Sequence, residues 1–157
     1  MSRNTTTPRS TDRLPDLAVD LHTGERTRRS TLAAGGPVVV FFYPKAFTGG
    51  CTAEACHFRD LAAEFTAVGA SRLGVSRDDV ATQARFADEH RFDYPLIADP
   101  DGEVAKAFGA KRPGPLWSKR QTYVIDQDLT VLATISSETD MERHADEALE
   151  VLRDRQR

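Results

Sequence analysis

The sequence lacks the features that mark membrane proteins, secreted proteins and nucleic-acid-binding proteins. Its longest apolar run, Pro37–Tyr43, is far shorter than the roughly 20 residues that span a bilayer. Met1–Arg13 contains no apolar stretch of the kind found in signal peptides. The 21 Lys and Arg against 24 Asp and Glu give a net charge of −3, so there is no basic excess to attract phosphate or anionic lipid. We therefore expect a cytoplasmic protein that binds neither nucleic acid nor membranes.

Cysteine is also scarce, and this excludes a scaffold held together by disulfides. The chain has 2 cysteines, five positions apart, which leaves redox chemistry, metal binding or no special role open. With 157 residues, of which 39% are hydrophobic, the chain has the size of one domain with one sizeable core. Met1–Arg13 is rich in Ser, Thr and Arg and is expected to be a disordered tail. The domain is then expected to cover residues 14–157.

The first part of the domain has the pattern of a β-hairpin followed by a short helix. Apolar and polar residues alternate over Leu17–Leu21, and a Thr-Gly turn leads into Glu25–Arg29. Ser30 or Thr31 is expected to cap a short helix that ends at Gly35-Gly36.

A fully apolar segment follows, and it leads into the segment that contains both cysteines. Val38–Phe42 is apolar at every position, which is typical of a strand covered on both faces, and we expect it to be the central strand of a parallel or mixed sheet. After Pro44, small and apolar residues recur at helical spacing and predict an amphipathic helix over Gly50–Val68, with Cys51 in its first turn. These residues are Cys51, Ala55, Phe58, Ala62 and Phe65.

The rest of the chain continues to alternate between strands and helices, which indicates an α/β fold. A capping box, Thr139-Asp140-Met141-Glu142, is expected to open the last helix, which turns Ala145, Ala148, Leu149 and Leu152 inward. This order predicts a thioredoxin-like fold, with a central mixed sheet flanked by helices and an N-terminal hairpin. The expected elements are strands at Ser71–Ser76 and Tyr94–Ala98, helices near Asp79–His90 and Glu103–Phe108, and a hairpin of Gln121–Ile125 with Thr130–Ile135.

The predicted position of Cys51 makes it a candidate nucleophile. A thiol in the first turn of a helix lies near unpaired backbone N–H groups and the positive end of the helix dipole, and both favour thiolate over thiol. The alternative is that Cys51 is only a small buried hydrophobic residue.

Several segments together resemble one protein family. Pro44-x-x-x-Thr48-x-x-Cys51 resembles the active-site signature of the peroxiredoxins, and Cys56, with Glu54 before it, is similar to the Q-type subgroup, also called bacterioferritin comigratory protein. The resemblance covers about Leu14 to Leu152. Relatives commonly carry proline where this chain has glycine at position 49. Three further stretches agree in order: Gly74–Asp78, Tyr94–Asp99 and Arg120–Asp126.

The resemblance implies a thiol peroxidase that uses no cofactor and no metal. Cys51 would attack the O–O bond of hydrogen peroxide or an organic hydroperoxide and become a sulfenic acid, which Cys56 would convert into a disulfide that thioredoxin or a similar thiol reduces. Thr48 would hold the peroxide or the thiolate, Arg120 would stabilise charge, and Pro44 would shield Cys51 from water. The expected assembly is a monomer or a weak homodimer.

The spacing of the two cysteines adds a geometric expectation. Residues i and i+5 of an α-helix have Cα atoms about 8.7 Å apart, whereas a disulfide tolerates at most about 7 Å. A Cys51–Cys56 disulfide therefore requires the first turns of the helix to unwind.

Two other functions remain compatible with the residues. Cys51, Cys56 and His57 could bind zinc together with His22, His90 or His144, although the cysteine spacing is poor for zinc. The chain could also be an inactive interaction module that docks through Trp117 and the loop Lys111–Lys119, a loop that also fits an ordinary solvated segment. His57 is expected to be a surface residue.

Overall fold

A computed structural model describes residues 16–111 and 119–155. In these residues, seven strands form one sheet, and six helices cover its two faces. Met1–Arg13 and Trp117 lie outside the described residues. Within the described ranges, no helix is long and apolar enough to cross a bilayer. The strands are β1 Ala18–Leu21, β2 Arg26–Arg28, β3 Val38–Phe42, β4 Ser71–Ser76, β5 Leu96–Ala98, β6 Gln121–Ile125 and β7 Val131–Ser136. The helices are α1 Arg29–Leu32, α2 Gly49–Asp60, α3 Ala62–Ala67, α4 Val80–His90, α5 Glu103–Phe108 and α6 Met141–Arg155.

The sheet is mixed and has the strand order β2-β1-β5-β4-β3-β6-β7. Strands β3, β4 and β5 are parallel, whereas β1, β6 and β7 pair antiparallel with their neighbours. This confirms the thioredoxin-like architecture and the N-terminal hairpin. It corrects one detail, because β4 is the middle strand and β3 lies one place to the side.

Strand β3 contributes to two separate cores, which explains why all five of its residues are apolar. Val39 and Phe41 face the core under α2, α4 and α6. Val38, Val40 and Phe42 face the opposite core, under α5. Since successive side chains of a strand point to opposite faces, only a strand covered on both sides buries every residue.

The predicted helix Gly50–Val68 is two helices in the structure. Leu61 has φ −95° and ψ 21°, which ends α2 and begins α3. The hydrophobic spacing continues across the break, with Phe58 and Phe65 stacked at 5.8 Å between ring centroids. No glycine or proline marks the position, so the local sequence carries no signal for the break.

Both predicted helix caps differ from the observed ones. Arg28 is the N-cap of α1 and makes no side-chain cap hydrogen bond. Instead, the Asp16 carboxylate accepts hydrogen bonds from the backbone N–H and the hydroxyl of Ser30, which lower the Asp16 pKa to about 2. At α6, the Asp140 carboxylate accepts from the Arg143 N–H at 3.2 Å, so the residue after Thr139 is the cap. A carboxylate is a stronger acceptor than a hydroxyl at a helix N-terminus.

Candidate active site

The loop between β3 and α2 is fixed to the end of the neighbouring strand β4. The Ala46 N–H donates to the Asp78 carboxylate at 2.8 Å, and the Ser76 hydroxyl donates to the same oxygen. Phe47 has a positive φ of 66°, which is uncommon for a residue other than glycine. The Asp78 anchor thus holds the loop in a tight turn directly before Cys51.

Cys51 lies in the first turn of α2, as predicted, and it is completely buried. The backbone N–H of Lys45 lies 3.5 Å from its Sγ. The Arg120 guanidinium also hydrogen-bonds to Cys51, although the two residues lie far apart in the chain. The sulfur is therefore contacted by donors from the loop and from the segment before β6, groups that can stabilise negative charge developing beside it.

Arg120 precedes β6 and pairs with Glu54 on α2. Its Nη1 donates to Glu54 Oε1 at 2.8 Å, and both side chains are nearly or fully buried. Burial alone would lower the Arg120 pKa, but the charges that Glu54 and Cys51 carry when ionised, and the hydrogen bonds to both, raise it. Burial raises the pKa of Glu54 to about 8, even though Arg120 opposes this shift. Arg120 is thus held in place and remains charged.

Gly50 has no side chain, and the Arg120 guanidinium packs close to the position that a side chain would take. A Cβ at position 50 would lie 3.3 Å from Arg120 Nη2 and 3.4 Å from Met141 Sδ. The neighbouring Gly49 has nothing within 4 Å of such an atom. Of the two glycines before Cys51, only Gly50 is at a position where a side chain would crowd Arg120.

A buried histidine on α6 lies behind the Glu54 carboxylate. His144 Nδ1 is 2.8 Å from the Thr122 hydroxyl and 3.7 Å from Glu54 Oε2. Nε2 lies 2.8 Å from the carbonyl oxygen of Ser137, so it carries a proton and donates. Burial lowers the pKa of His144, so the ring is neutral and Nδ1 accepts from Thr122. Sequence reasoning missed His144 as a neighbour of this site, because only the fold brings α6 beside α2.

Pro44 and Thr48 lie at the two ends of the loop between β3 and α2. Thr48 is the N-cap of α2, but its side chain makes no cap hydrogen bond. Its hydroxyl donates to the Lys45 carbonyl at 2.8 Å and is exposed to solvent. Pro44 is half-buried at the beginning of the loop.

Cys56 lies in the same unbroken helix as Cys51, and both thiols are free. It is half-buried, and its Sγ lies 3.8 Å from Nδ1 of His90. Burial raises the pKa of the Cys56 thiol, whereas the positive charge of Arg59 lowers it in part. The two thiols therefore have different surroundings, and the intact helix keeps them apart.

The zinc alternative has no ligand cluster in the parts of the chain that the structure describes. Over residues 16–111 and 119–155, no group of three or more His, Cys, Asp or Glu side chains is placed to hold a metal ion. His57 is half-buried and pairs through Nε2 with Asp146 at 2.8 Å, so it contacts α6 rather than either thiol.

Comparison with known proteins places this geometry in a family. The AhpC/TSA family model matches residues 11–134. A putative peroxiredoxin of Mycobacterium tuberculosis is 55% identical over 145 residues, which cover 90% of this chain and 94% of that protein. The crystal structure of the peroxidoxin BcpB from the same organism is 54% identical, has a TM-score of 0.89, and covers 92% of this chain and 96% of its own.

A structure of the Xanthomonas campestris bacterioferritin comigratory protein is also similar. It is 31% identical, has a TM-score of 0.81, and covers 90% of this chain and 92% of its own. Reduction of peroxides by a thiol is general among such proteins. The chain therefore belongs to the AhpC/TSA family, as a peroxidase of the peroxiredoxin Q (bacterioferritin comigratory protein) type.

Proposed function

We propose that Cys51 is the peroxidatic thiol, the one that attacks hydrogen peroxide and organic hydroperoxides. The Cys51 thiolate attacks one oxygen of the O–O bond, the bond breaks, and the sulfur keeps that oxygen as a sulfenic acid. The other oxygen leaves as water or an alcohol after it gains a proton. The observation that carries this proposal is the convergence of the Lys45 N–H and the Arg120 guanidinium on the buried Cys51 sulfur.

Arg120 has the central supporting role in this step. Its charge lies beside the sulfur and is fixed by Glu54, so it stabilises the negative charge that builds up on the departing oxygen. The exposed Thr48 hydroxyl orients the peroxide, and Pro44 limits the access of water to the sulfur. These positions match the residues that the family signature implies.

Cys56 is the resolving thiol, the one that condenses with the Cys51 sulfenic acid. Attack by Cys56 forms the Cys51–Cys56 disulfide and releases water. Because both residues lie in α2, the helix opens at its N-terminal end for this step. Gly49 and Gly50 at the beginning of α2 reduce the cost of opening.

Thioredoxin or a similar dithiol then reduces the disulfide, and we place this cycle in the cytoplasm with the protein as a monomer or a weak homodimer. Alkyl peroxide reduction is the activity attributed to the Xanthomonas campestris bacterioferritin comigratory protein. This activity in a relative supports organic hydroperoxides as substrates of the present chain.

A coupled assay tests the proposal. NADPH oxidation through thioredoxin reductase and thioredoxin is followed with hydrogen peroxide, tert-butyl hydroperoxide and cumene hydroperoxide. We expect turnover that requires every component and disappears in Cys51→Ser. Peroxide consumption with a small dithiol but not with thioredoxin would contradict the proposed reductant. Absence of consumption with either would contradict the peroxidase.

A further inference from the structure

Cys56 has a neighbour that the peroxidase motif does not include. His90, the last residue of α4, points Nδ1 at the Cys56 sulfur from 3.8 Å. Its other ring nitrogen, Nε2, lies 3.3 Å from the carboxylate of Glu89. A thiol beside an imidazole is an arrangement by which proteins activate a nucleophile through an adjacent base.

The His90 ring is held by its surroundings. It packs edge-on against Phe86 at 5.4 Å and stacks on Phe92 at 5.7 Å between ring centroids. Arg59 on α2 donates to the His90 carbonyl oxygen at 2.7 Å, which fastens the end of α4 to the helix that carries Cys56. The contact between the thiol and the imidazole thus belongs to the packing of α2 against α4.

The Glu89 carboxylate lies close enough to the other ring nitrogen, Nε2, to favour one tautomer of His90. A carboxylate only accepts hydrogen bonds, so it favours the neutral form of His90 that has its proton on Nε2. Nδ1 then has a free lone pair directed at the Cys56 thiol. The mechanism described above gives this lone pair no role.

The resolving step needs a base at this position. The thiolate is the attacking species in disulfide formation, and burial raises the pKa of the Cys56 thiol. The other ionisable groups that act on Cys56 are Arg59, which favours the thiolate, Asp60, which opposes it, and Tyr94, whose hydroxyl is buried. None of these three can accept the proton near neutral pH, whereas histidine is suited to do so.

We infer that His90 accepts the proton of the Cys56 thiol and so prepares Cys56 to attack the Cys51 sulfenic acid; the inference rests on the proposed resolving role of Cys56. The S–H proton moves to Nδ1, the Cys56 thiolate attacks Cys51 Sγ, and the S–S bond forms as the S–OH bond breaks. The departing hydroxide takes up one proton, returned by the imidazolium through solvent, and leaves as water. Proton transfer occurs while α2 is folded, and opening of the helix then brings the thiolate to Cys51.

The test separates a proton-transfer role from a packing role by pH. His90→Phe keeps an aromatic ring between Phe86 and Phe92, and His90→Gln keeps polar contacts, but neither side chain accepts a proton. The matched control is His57→Gln, because His57 is next to Cys56 in sequence but pairs with Asp146. Each reduced protein is mixed with one equivalent of hydrogen peroxide between pH 5.5 and 8.5, quenched with a thiol-blocking reagent, and analysed by mass for sulfenic acid and disulfide.

We expect both His90 variants to form the sulfenic acid at the unmodified rate and to form the disulfide at least tenfold more slowly at pH 6.5. Their disulfide rate should rise close to tenfold per pH unit, because only spontaneously ionised thiol reacts. In the unmodified protein and in His57→Gln, the rate of disulfide formation should depend less on pH. The difference in rate between these proteins and the His90 variants should therefore become smaller towards pH 8.5. Glu89→Gln should slow the step two- to threefold.

Two results would overturn the inference, and they differ in what else they contradict. In the first, the unmodified protein forms the Cys51–Cys56 disulfide, and the His90 variants form it either at the same rate or more slowly by the same factor at every pH. His90 would then have only a packing role. A protein that forms no such disulfide would contradict the resolving role of Cys56 as well.

Discussion

Helix α2 gives its two cysteines different surroundings. In the first turn, the fully buried Cys51 is contacted by the Lys45 N–H and by a guanidinium that Glu54 holds in place. Further along the helix, Cys56 is half-buried, burial raises the pKa of its thiol, and a histidine lies beside its sulfur. The same functional group therefore lies beside a fixed positive charge at the beginning of the helix and beside an imidazole further along it.

Replacing each thiol is the strongest test of this difference. Cys51→Ser should abolish peroxide consumption, because a hydroxyl in that position does not ionise. Cys56→Ser should allow one fast turnover and then accumulate the Cys51 sulfenic acid. Stopped-flow measurement with stoichiometric peroxide, followed by mass analysis, distinguishes them. A first turnover of equal rate in Cys51→Ser and in the unmodified protein would contradict the assignment.

Removing the charge beside Cys51 should slow the reaction of Cys51 with peroxide without changing the surroundings of Cys56. Arg120→Ala should slow peroxide attack by more than tenfold, because the departing oxygen loses its stabilising charge. Greater thiol acidity gains thiolate but loses nucleophilicity, so a change in acidity explains little of the loss. The rate of thiolate attack and the thiol titration are measured in the same variant, with the exposed Arg153→Ala on α6 as the control. A rate loss that matches the titration shift alone would refute this account.

Shifting the Arg120 guanidinium should slow peroxide attack less than removing it does. Gly50→Ala places a methyl group 3.3 Å from Arg120 Nη2, so the guanidinium must move by a few tenths of an ångström. We expect peroxide attack to slow by about three- to tenfold, since site geometry tolerates little displacement. Gly49→Ala meets no atom within 4 Å and serves as the matched control. Equal rates in the two alanine variants would show that Arg120 adapts freely.

The buried Glu54 carboxylate should make stability depend on pH. Burial raises its pKa to about 8 from the ordinary 4.5, so between these values the folded protein retains a proton that the unfolded chain releases. The free energy of unfolding therefore falls as pH rises from about 4.5 to 8, with a slope of at most about 1.4 kcal/mol per pH unit from this group. Glu54→Gln should flatten the profile measured by urea denaturation, whereas exposed Glu150→Gln should leave it unchanged. A profile that stays equally steep in Glu54→Gln would contradict the raised pKa.

The smallest expected effect concerns the opening of α2. Gly49 is the first residue of the helix, and Thr48 before it is extended at φ −85° and ψ 155°, a conformation that proline accepts in the residue that precedes it. Gly49→Pro should stabilise the reduced protein by about 0.4–1 kcal/mol and slow conversion of sulfenic acid to disulfide. Slower resolution exposes the sulfenic acid for longer, so over-oxidation to sulfinic acid should increase. Thermal melts, stopped-flow fluorescence and mass analysis at high peroxide check the three effects. A stabilised variant with an unchanged resolution rate would show that opening is not limiting.

Much of the fold could be predicted because its signals are local. The alternation of strands and helices follows from hydrophobic period, and strands such as Ser71–Ser76 and the helix Glu103–Phe108 have the predicted bounds. The break at Leu61 and the carboxylate cap from Asp16 could not be predicted, because packing or a residue many positions away decides each of them.

The order of elements, the burial of β3 on both faces and the position of Cys51 at the beginning of a helix all follow from the amino-acid sequence, because each depends on residues within a few positions. The partners of the two thiols follow instead from the tertiary structure. Arg120 reaches Cys51 and Glu54 from the beginning of β6, His144 reaches Glu54 from α6, and His90 reaches Cys56 from α4. These contacts join elements that are distant in the chain, and their distances depend on how helices pack on a shared sheet, which no local pattern of residues specifies.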